Sequence, residues 1–234
     1  PLANIYQVGS PVGAFYGYQT NGLFQSNDEV KAYVNKDGVM YQPNAVAGDI
    51  KFKDENGDGV INNSDRVVLG SPFPKTTYSL NANFRYKGFD MNVFFTGAAG
   101  NSVFNAVKHT GLNASFPGYN LLAESKEAWT PTNTATNVPV LSSTDNNNNF
   151  GRISNLFIED ASFLRLKNVS IGYTVKESWL NGKAKLRFFV SGQNLFTITK
   201  YSGMDPEVGL KNFGMDLARY PLSRIYMTGV NATF

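Results

Sequence analysis

Lys75-Thr76-Thr77-Tyr78-Ser79-Leu80-Asn81-Ala82-Asn83-Phe84-Arg85-Tyr86-Lys87-Gly88 is the stretch on which the fold turns. Tyr78, Leu80, Ala82, Phe84 and Tyr86 share one parity, and Thr77, Ser79, Asn81, Asn83, Arg85 and Lys87 share the other. Alternation with period two is a β-strand with one apolar and one polar face. This one is about twice as long as a usual globular strand. Lys87-Gly88 supplies a tight turn, after which Phe89, Met91, Val93, Phe95, Gly97 and Ala99 resume the apolar parity. The two runs predict one long hairpin.

Further along, Val169, Ile171, Tyr173 and Val175 alternate with Asn168, Ser170, Gly172 and Thr174. Beyond a short connection through Asn181-Gly182, Leu186, Phe188 and Val190 alternate with Arg187 and Ser191, and Phe189 breaks the parity. The last run sets Tyr226, Val230, Ala232 and Phe234 against Asn231 and Thr233. An aromatic-rich strand with weaker alternation is expected within Gly13 to Gln25. The connections at Lys87-Gly88 and 176–183 are short, whereas those at 26–74, 101–158 and 197–221 are long and rich in Asn, Gly, Pro and Asp.

Compact soluble domains seldom carry several loops longer than about 15 residues. Short turns alternating with long loops, between strands of about ten residues, are the layout of an outer-membrane β-barrel. A soluble β-sandwich with decorated loops is the alternative. Phe234, with Ala232 and Gly229 before it, looks like the terminal signal by which barrel proteins are recognised for insertion. With Phe234 on the periplasmic side, 26–74, 101–158 and 197–221 all become extracellular loops. About six strands are legible, fewer than the roughly eight of the smallest membrane barrels. Open edges are not tolerated in lipid. The expected fold is therefore all-β: the C-terminal strands of a large transmembrane antiparallel β-barrel spanning residues 1–234, and a start at Pro1 rather than Met fits a fragment.

Composition agrees. Charged residues make up only 17% of the 234 residues, against a usual share of about 25%. The deficit is filled by 18 Phe, 12 Tyr, 22 Gly and 27 Asn, a mixture poor in helix formers and too aromatic for disorder. A net charge of +3 with no basic run gives no sign of nucleic-acid binding. Zero cysteines remove disulfides, thiolate chemistry and Cys-type zinc sites, and His109 is the single histidine. No apolar run is long enough for a transmembrane helix, which leaves alternating strands untouched.

Asp54-Glu55-Asn56-Gly57-Asp58-Gly59-Val60-Ile61-Asn62-Asn63-Ser64-Asp65 is the strongest site signal. Oxygen donors at positions 1, 3, 5, 9 and 12 with Gly at 6 match an EF-hand calcium loop. Calcium takes hard oxygens. The candidate ligands are Asp54, Asn56, Asp58, the Val60 carbonyl and Asp65, the last a shorter carboxylate than the usual Glu. The calcium would pin a long loop. The same string also reads as a loop rich in Asx-turns that binds nothing.

Catalytic groupings are thin, so no enzyme is expected. Asp49, Asp54 and Asp58 form no better acid pair than calcium set, Glu159-Asp160 reads as a polar pair at a strand edge, and His109 as an ordinary loop residue. A short surface helix is expected around Leu121–Trp129, a mobile run at Asn146–Asn149, and packing of Phe116, Tyr119 and Trp129 within their own loop.

Several strings resemble one family. Gly48-Asp49-Ile50-Lys51-Phe52-Lys53-Asp54 running on through Asn56 to Ile61, Asp65-Arg66 and Gly70-Ser71-Pro72 are similar to the SusC/RagA family of TonB-dependent outer-membrane transporters. So are Tyr86-Lys87-Gly88-Phe89-Asp90 with Val93-Phe94-Phe95, Ile158 to Val169, Val190 to Tyr201, and Asp205-Pro206-Glu207. The resemblance runs from about Pro11 to Phe234. It implies a barrel of about 22 strands in the outer membrane of a Bacteroidota-like Gram-negative bacterium. It further implies a SusD-like surface lipoprotein as lid, oligosaccharide or oligopeptide cargo, and energy delivered through TonB by segments upstream of this chain. The lipid bilayer and a dimer of transporter–lipoprotein pairs complete the implied partners. Two other classes remain open on the residues alone, a calcium-stabilised cell-surface binding or adhesion module and a calcium-dependent glycan hydrolase.

Overall fold

A computed structural model describes residues 3–176, 184–208 and 212–234. Its strands are β1 (Asn4–Ile5), β2 (Ala14–Tyr18), β3 (Thr20–Leu23), β4 (Ile50–Phe52), β5 (Arg66–Gly70), β6 (Thr76–Tyr86), β7 (Phe89–Ala99), β8 (Ser102–Asn105), β9 (Ile158–Asp160), β10 (Phe163–Thr174), β11 (Lys185–Thr199), β12 (Met215–Asp216) and β13 (Ile225–Thr233). Two short helices, α1 (Asn27–Ala32) and α2 (Ala106–Gly111), join them. None of the described helices is long and apolar enough to cross a membrane, which says nothing of the strands. The chain divides into two compact units.

One unit, Pro74–Asn101, Ala161–Glu207 and Tyr220–Phe234, is a single antiparallel sheet in the order β13-β11-β10-β7-β6. Tyr86 pairs with Phe89, so Lys87-Gly88 is a two-residue turn with both residues left-handed (φ 46° and 90°). Such a turn matches the twist of the flanking strands. A Cβ at Gly88 would also lie 2.9 Å from the Thr174 carbonyl, so glycine is required twice over. The cross-strand register keeps one face apolar: Tyr86 opposite Phe89, Phe84 opposite Met91, Tyr173 opposite Phe89, and Phe188 opposite both Tyr173 and Val230. These side chains have no layer over them; Leu80, Phe84, Val190 and Ile198 are each about 60% exposed.

Phase is preserved by an irregularity that alternation alone does not reveal. The register of β10 shifts between Leu166 and Asn168 against both neighbours. The apolar parity therefore passes from odd residues (Val169, Ile171, Tyr173) to even ones (Leu164, Leu166) without leaving the face. Gly97 lies under the Tyr78 ring, 2.5 Å from where a Cβ would sit, and the Tyr78 hydroxyl donates to the Phe163 carbonyl at 3.0 Å.

The sheet holds five long strands and not six. The strand expected within Gly13 to Gln25 forms as β2 and β3, but in the other unit. The expected turn at Asn181-Gly182 lies outside the described residues.

The second unit, Pro1–Phe73, Ser102–Asp160 and Val208–Arg219, is built largely from the long connections and has cores of its own. Three small sheets (β1-β2-β5, β12-β8-β9 and β3-β4) frame two apolar clusters. Phe15, Phe104, Leu112, Phe150 and Phe157 lie in one, and Tyr18, Ile50, Phe52, Ile61 and Trp129 in the other. Helix α1 begins at Ser26, whose hydroxyl accepts the Glu29 amide at 3.1 Å, with Asp28 and Glu29 in the first turn. The helix expected at Leu121–Trp129 is one 3-10 turn, Ala123–Glu127, and Trp129 is buried. Phe116 and Tyr119 pack on each other, with ring centroids 5.3 Å apart.

The Asn146–Asn149 run is not a mobile tract. Asn147 and Asn149 are buried, because their amides complete the edge of β4. Asn149 Oδ1 accepts the Ile50 amide at 2.9 Å, and Asn147 Nδ2 donates to the Ile50 carbonyl at 3.0 Å. Gln42 accepts the Phe52 amide at 2.8 Å and donates to the Ile50 carbonyl at 2.8 Å. Asn149 Nδ2 in turn donates to Asp49 at 2.7 Å. An unpaired buried amide costs roughly 1–3 kcal/mol. Asn149→Ala is therefore expected to destabilise this unit by about that amount, read as lost hydrogen-exchange protection at the Ile50 amide while β10 and β11 stay protected.

Candidate functional site

The polar face of the long sheet is a hydrogen-bonded surface. Asn92 on β7 donates to Asn81 Oδ1 (2.7 Å) and Asn83 Oδ1 (2.9 Å) on β6, and accepts from Asn168 on β10 at 3.3 Å. Toward the Lys87-Gly88 turn, Arg187 grips Asp90 through Nε (2.8 Å) and Nη2 (2.5 Å). Its guanidinium lies 5.2 Å from the centre of Phe189, the residue that breaks the alternation. That ring lies across Gly229, where a Cβ would meet it at 2.7 Å. Phe189 is thus on the polar face by register, facing a glycine that makes room. Arg85, Asp90, Lys185, Arg187, Asn231 and Thr233 line a concavity of about 790 Å³ there.

At the other end of β10, Arg165 is nearly fully buried. It donates to Asp205 (2.6 Å), Glu207 (3.1 Å) and Thr197 (2.9 Å). Asp205 also accepts the amides of Glu207 (2.9 Å) and Leu222 (3.2 Å). Burial opposes ionisation of Asp205, but these amides and the guanidinium outweigh it and hold the carboxyl below its usual range. Arg165 and Asp205-Pro206-Glu207 both lie in strings that carry the family resemblance, but with 40 residues between Arg165 and Asp205 nothing in the spacing pairs them.

The acidic loop takes the turn its glycines allow. Gly57 and Gly59 adopt positive φ (74° and 89°), and the Gly59 carbonyl accepts from Asn35 at 3.0 Å. Asp54 accepts the amides of Gly57 (2.8 Å) and Gly59 (2.9 Å), and Asp65 those of Glu55 (2.9 Å) and Asn62 (2.7 Å). The carboxyls of Asp54 and Asp65 lie within hydrogen-bonding reach of each other, with the Tyr41 hydroxyl beside Asp54. Slight desolvation works against ionisation of Asp54, and the Gly59 and Gly57 amides overcome it, lowering its pKa. Burial, then Tyr41 and Asp54, push the Tyr33 phenol up to about 12, and its hydroxyl donates to the Phe52 carbonyl at 2.8 Å.

Asp58 turns elsewhere. Its Oδ2 accepts from Asn56 (2.9 Å) and from Asn62 (3.3 Å), and the same Asn62 amide donates to the Val60 carbonyl at 3.3 Å. The structure thus brings Asp54 and Asp65 together, and Asp58 and the Val60 carbonyl onto Asn62, with Asn56 bonded to Asp58. Among the described residues no three acidic or imidazole side chains form a metal cage. The donor chemistry still fits a hard divalent cation. Each ionised carboxylate has about four acceptor positions, of which two amides take only part, and two facing carboxylates repel unless a proton or cation lies between them.

The remaining candidates are structural. Asp49 is buried against Asn149, and Glu159 on β9 accepts from Asn105 at 3.0 Å. His109 is in α2, packed among Phe104, Phe150 and Phe157, with Nε2 2.7 Å from the Phe150 carbonyl. Burial lowers its pKa, so it is a neutral core residue rather than an exposed loop side chain.

A long-stranded antiparallel sheet with an uncovered apolar face and a hydrogen-bonded polar face is the wall of a transmembrane β-barrel. The comparisons agree. No family model matches the sequence. The chain is 35% identical to TonB-dependent receptor P3 of Formosa agariphila over 98% of its own length, and 27% identical to TonB-dependent receptor SusC of Bacteroides thetaiotaomicron, again over 98%. It covers 23% and 20% of those two proteins, and spans about a quarter or less of the length of the curated relatives it matches. Among solved structures, the RagAB peptide transporter superposes with a TM-score of 0.72 at 24% identity, covering 98% of this chain and 24% of that one. The chain belongs to the SusC/RagA-type TonB-dependent receptors.

Removing one partner of a buried ion pair costs roughly 3–5 kcal/mol, so Asp205→Asn should lower the thermal unfolding temperature in detergent. Because the folded pKa of Asp205 is depressed, its stabilisation is present above the ordinary carboxylate value of about 4 and lost as the pH falls below it. The Asp205→Asn variant should show a correspondingly shallower loss of stability on acidification.

Proposed function

We propose that this chain forms barrel wall and extracellular loops of an outer-membrane importer, which takes up oligosaccharides or oligopeptides with energy relayed through TonB. A SusD-like lipoprotein would serve as its lid, with two transporter–lipoprotein pairs forming a dimer. The observation that carries this reading is the two-faced sheet. Its apolar face suits lipid, and its polar face, closed on itself through Asn81, Asn83, Asn92 and Asn168, suits a hydrated passage. Kinship with SusC and RagAB supports import as the activity, and RagAB is a peptide transporter. Transport changes no covalent bond. A soluble adhesion module would leave the apolar side chains of this face, Leu80, Phe84, Val190 and Ile198 among them, exposed as one contiguous patch, which soluble monomers rarely do.

Orientation follows from connection length. Lys87-Gly88 and 176–183 would face the periplasm, and 26–74, 101–158 and 197–221 the exterior. We further propose that calcium binds at Asp54, Asn56, Asp58, the Val60 carbonyl and Asp65 and pins the 26–74 segment. Asn62 would give up its hold on Asp58 and Val60 to let the oxygens close on the ion.

Uptake tests the first proposal. Deleting the gene in its native bacterium should abolish growth on the cargo, as should loss of TonB; recovery of the protein in soluble extracts without detergent would refute the importer reading. For calcium, adding a chelator to the detergent-purified transporter should raise proteolytic cleavage within 26–74, and Asp54→Asn should remove that calcium dependence.

A further inference from the structure

Arg152 has no ion-pair partner among the described residues. Its guanidinium lies 5.0 Å from the centre of the Phe52 ring and 5.7 Å from that of Tyr18. Among the described residues its side chain makes no hydrogen bond and no ion pair, and it contacts the two rings while Asp145 and Asp65 act on it from further away. Burial lowers its pKa from the usual value, the mark of a charge drawn out of water. A guanidinium carries five N–H donors, and that of the half-buried Arg152 leaves them to water or to a ligand. The nearest negative charges, Asp145 and Asp65, act on Arg152 through space without bonding it. Asp145 accepts the amides of Asn149 (2.7 Å) and Phe150 (3.1 Å), and Asp65 those of Glu55 and Asn62.

The guanidinium borders a concavity of about 340 Å³, lined also by Tyr18, Asn62, Asn63, Arg66 and Asn148. Arg66 is engaged, stacked 4.6 Å from the centre of the Tyr16 ring and donating to the Tyr16 carbonyl at 2.8 Å. Asn63 accepts the Tyr18 hydroxyl at 3.2 Å, which orients its amide. A polar hollow of this size is at the small end of ligand pockets and holds one sugar or amino-acid unit, not an oligomer.

We propose that this hollow is a carboxylate-binding subsite, in which Arg152 grips a single carboxylate at one end of a cargo chain. A guanidinium fork matches a planar carboxylate through two parallel hydrogen bonds. The rings of Phe52 and Tyr18 hold the fork without neutralising it. The nearby charges of Asp65 and Asp145 favour a singly charged group over a doubly charged phosphate. The proposal rests on the importer reading, in that the carboxylate belongs to cargo. Two sources share this chemistry, a uronic acid and the free C-terminus of a peptide.

The test is calorimetric titration of the full-length transporter, purified in detergent from its native membrane. The probes are trigalacturonate against its methyl ester, and trialanine against trialanine amide. At least one free acid should bind, with its blocked form weaker by roughly 10- to 100-fold, as loss of a charged hydrogen-bonded pair implies. Which acid binds identifies the source. Arg152→Ala should abolish the difference between acid and blocked form, while Arg152→Lys, which keeps the charge without the fork, should retain part of it. Equal binding of acid and blocked form, binding of neither acid, or an Arg152→Ala variant with unchanged preference would overturn the subsite. Uptake that persists in Arg152→Ala cells with unchanged preference for the acid would overturn the subsite alone, whereas absence of uptake in wild-type cells would overturn the importer reading itself.

Discussion

The backbone ladder of β6, β7, β10, β11 and β13 is the constraint from which the rest follows. In hydrocarbon there is no water to satisfy an exposed N–H or C=O, so every such group must find its partner in a neighbouring strand. Strand length, the two-residue turn at Lys87-Gly88 and the register shift at Leu166/Asn168 all serve that ladder. They keep it unbroken while holding all apolar side chains on one side. The same demand applies to β6 and β13, which have no further partner among the described residues. A bilayer location thus requires that both edges be paired.

Asparagine does for the polar surfaces what the ladder does for the strands. Its amide offers both donor and acceptor, like a peptide group, and can extend or cap a hydrogen-bonded array without charge. On the long sheet, Asn92 ties β7 to β6 and β10 across the polar face. In the other unit, Asn147, Asn149 and Gln42 stand in for a missing strand beside β4. The 27 asparagines of a chain poor in charge are therefore structural currency in both units.

This double use explains what could and could not be read in advance. Period-two alternation makes the hairpin from Lys75 to Ala99 legible because one face meets lipid and the other water. Where a strand is buried on both sides the alternation fades, and β2, with Ala14, Phe15 and Tyr18 buried, gave a strand signal without its location. The Asn146–Asn149 run looks like low complexity because composition cannot show that Ile50, about 100 residues away in the chain, needs those amides. His109 looks like a loop residue for the same reason, since its aromatic neighbours Phe150 and Phe157 are brought to it only by folding. The spacing of the acidic loop announces the turn and the glycines correctly. Which oxygens face one another depends on Asn35 and Tyr41, which lie before the motif.

The arginines separate scaffold from site. Arg165 and Arg187 lie on the long sheet, and each is matched by carboxylates at 2.5 to 3.1 Å. Arg165 is buried at 2% exposure with little water to screen it, so pairing is the condition of its being there. Arg66 meets the same condition with a carbonyl and a ring. Arg152 alone among these four is held by rings that shield it without satisfying its donors. A side chain that served only packing would not need a charge there, and one that served only charge balance would have a carboxylate within reach. What distinguishes Arg152 is that its donors have no hydrogen-bond or ion-pair partner among the described residues and are left to water or to a ligand. A guanidinium so placed keeps its affinity for the ligand that supplies the absent oxygens.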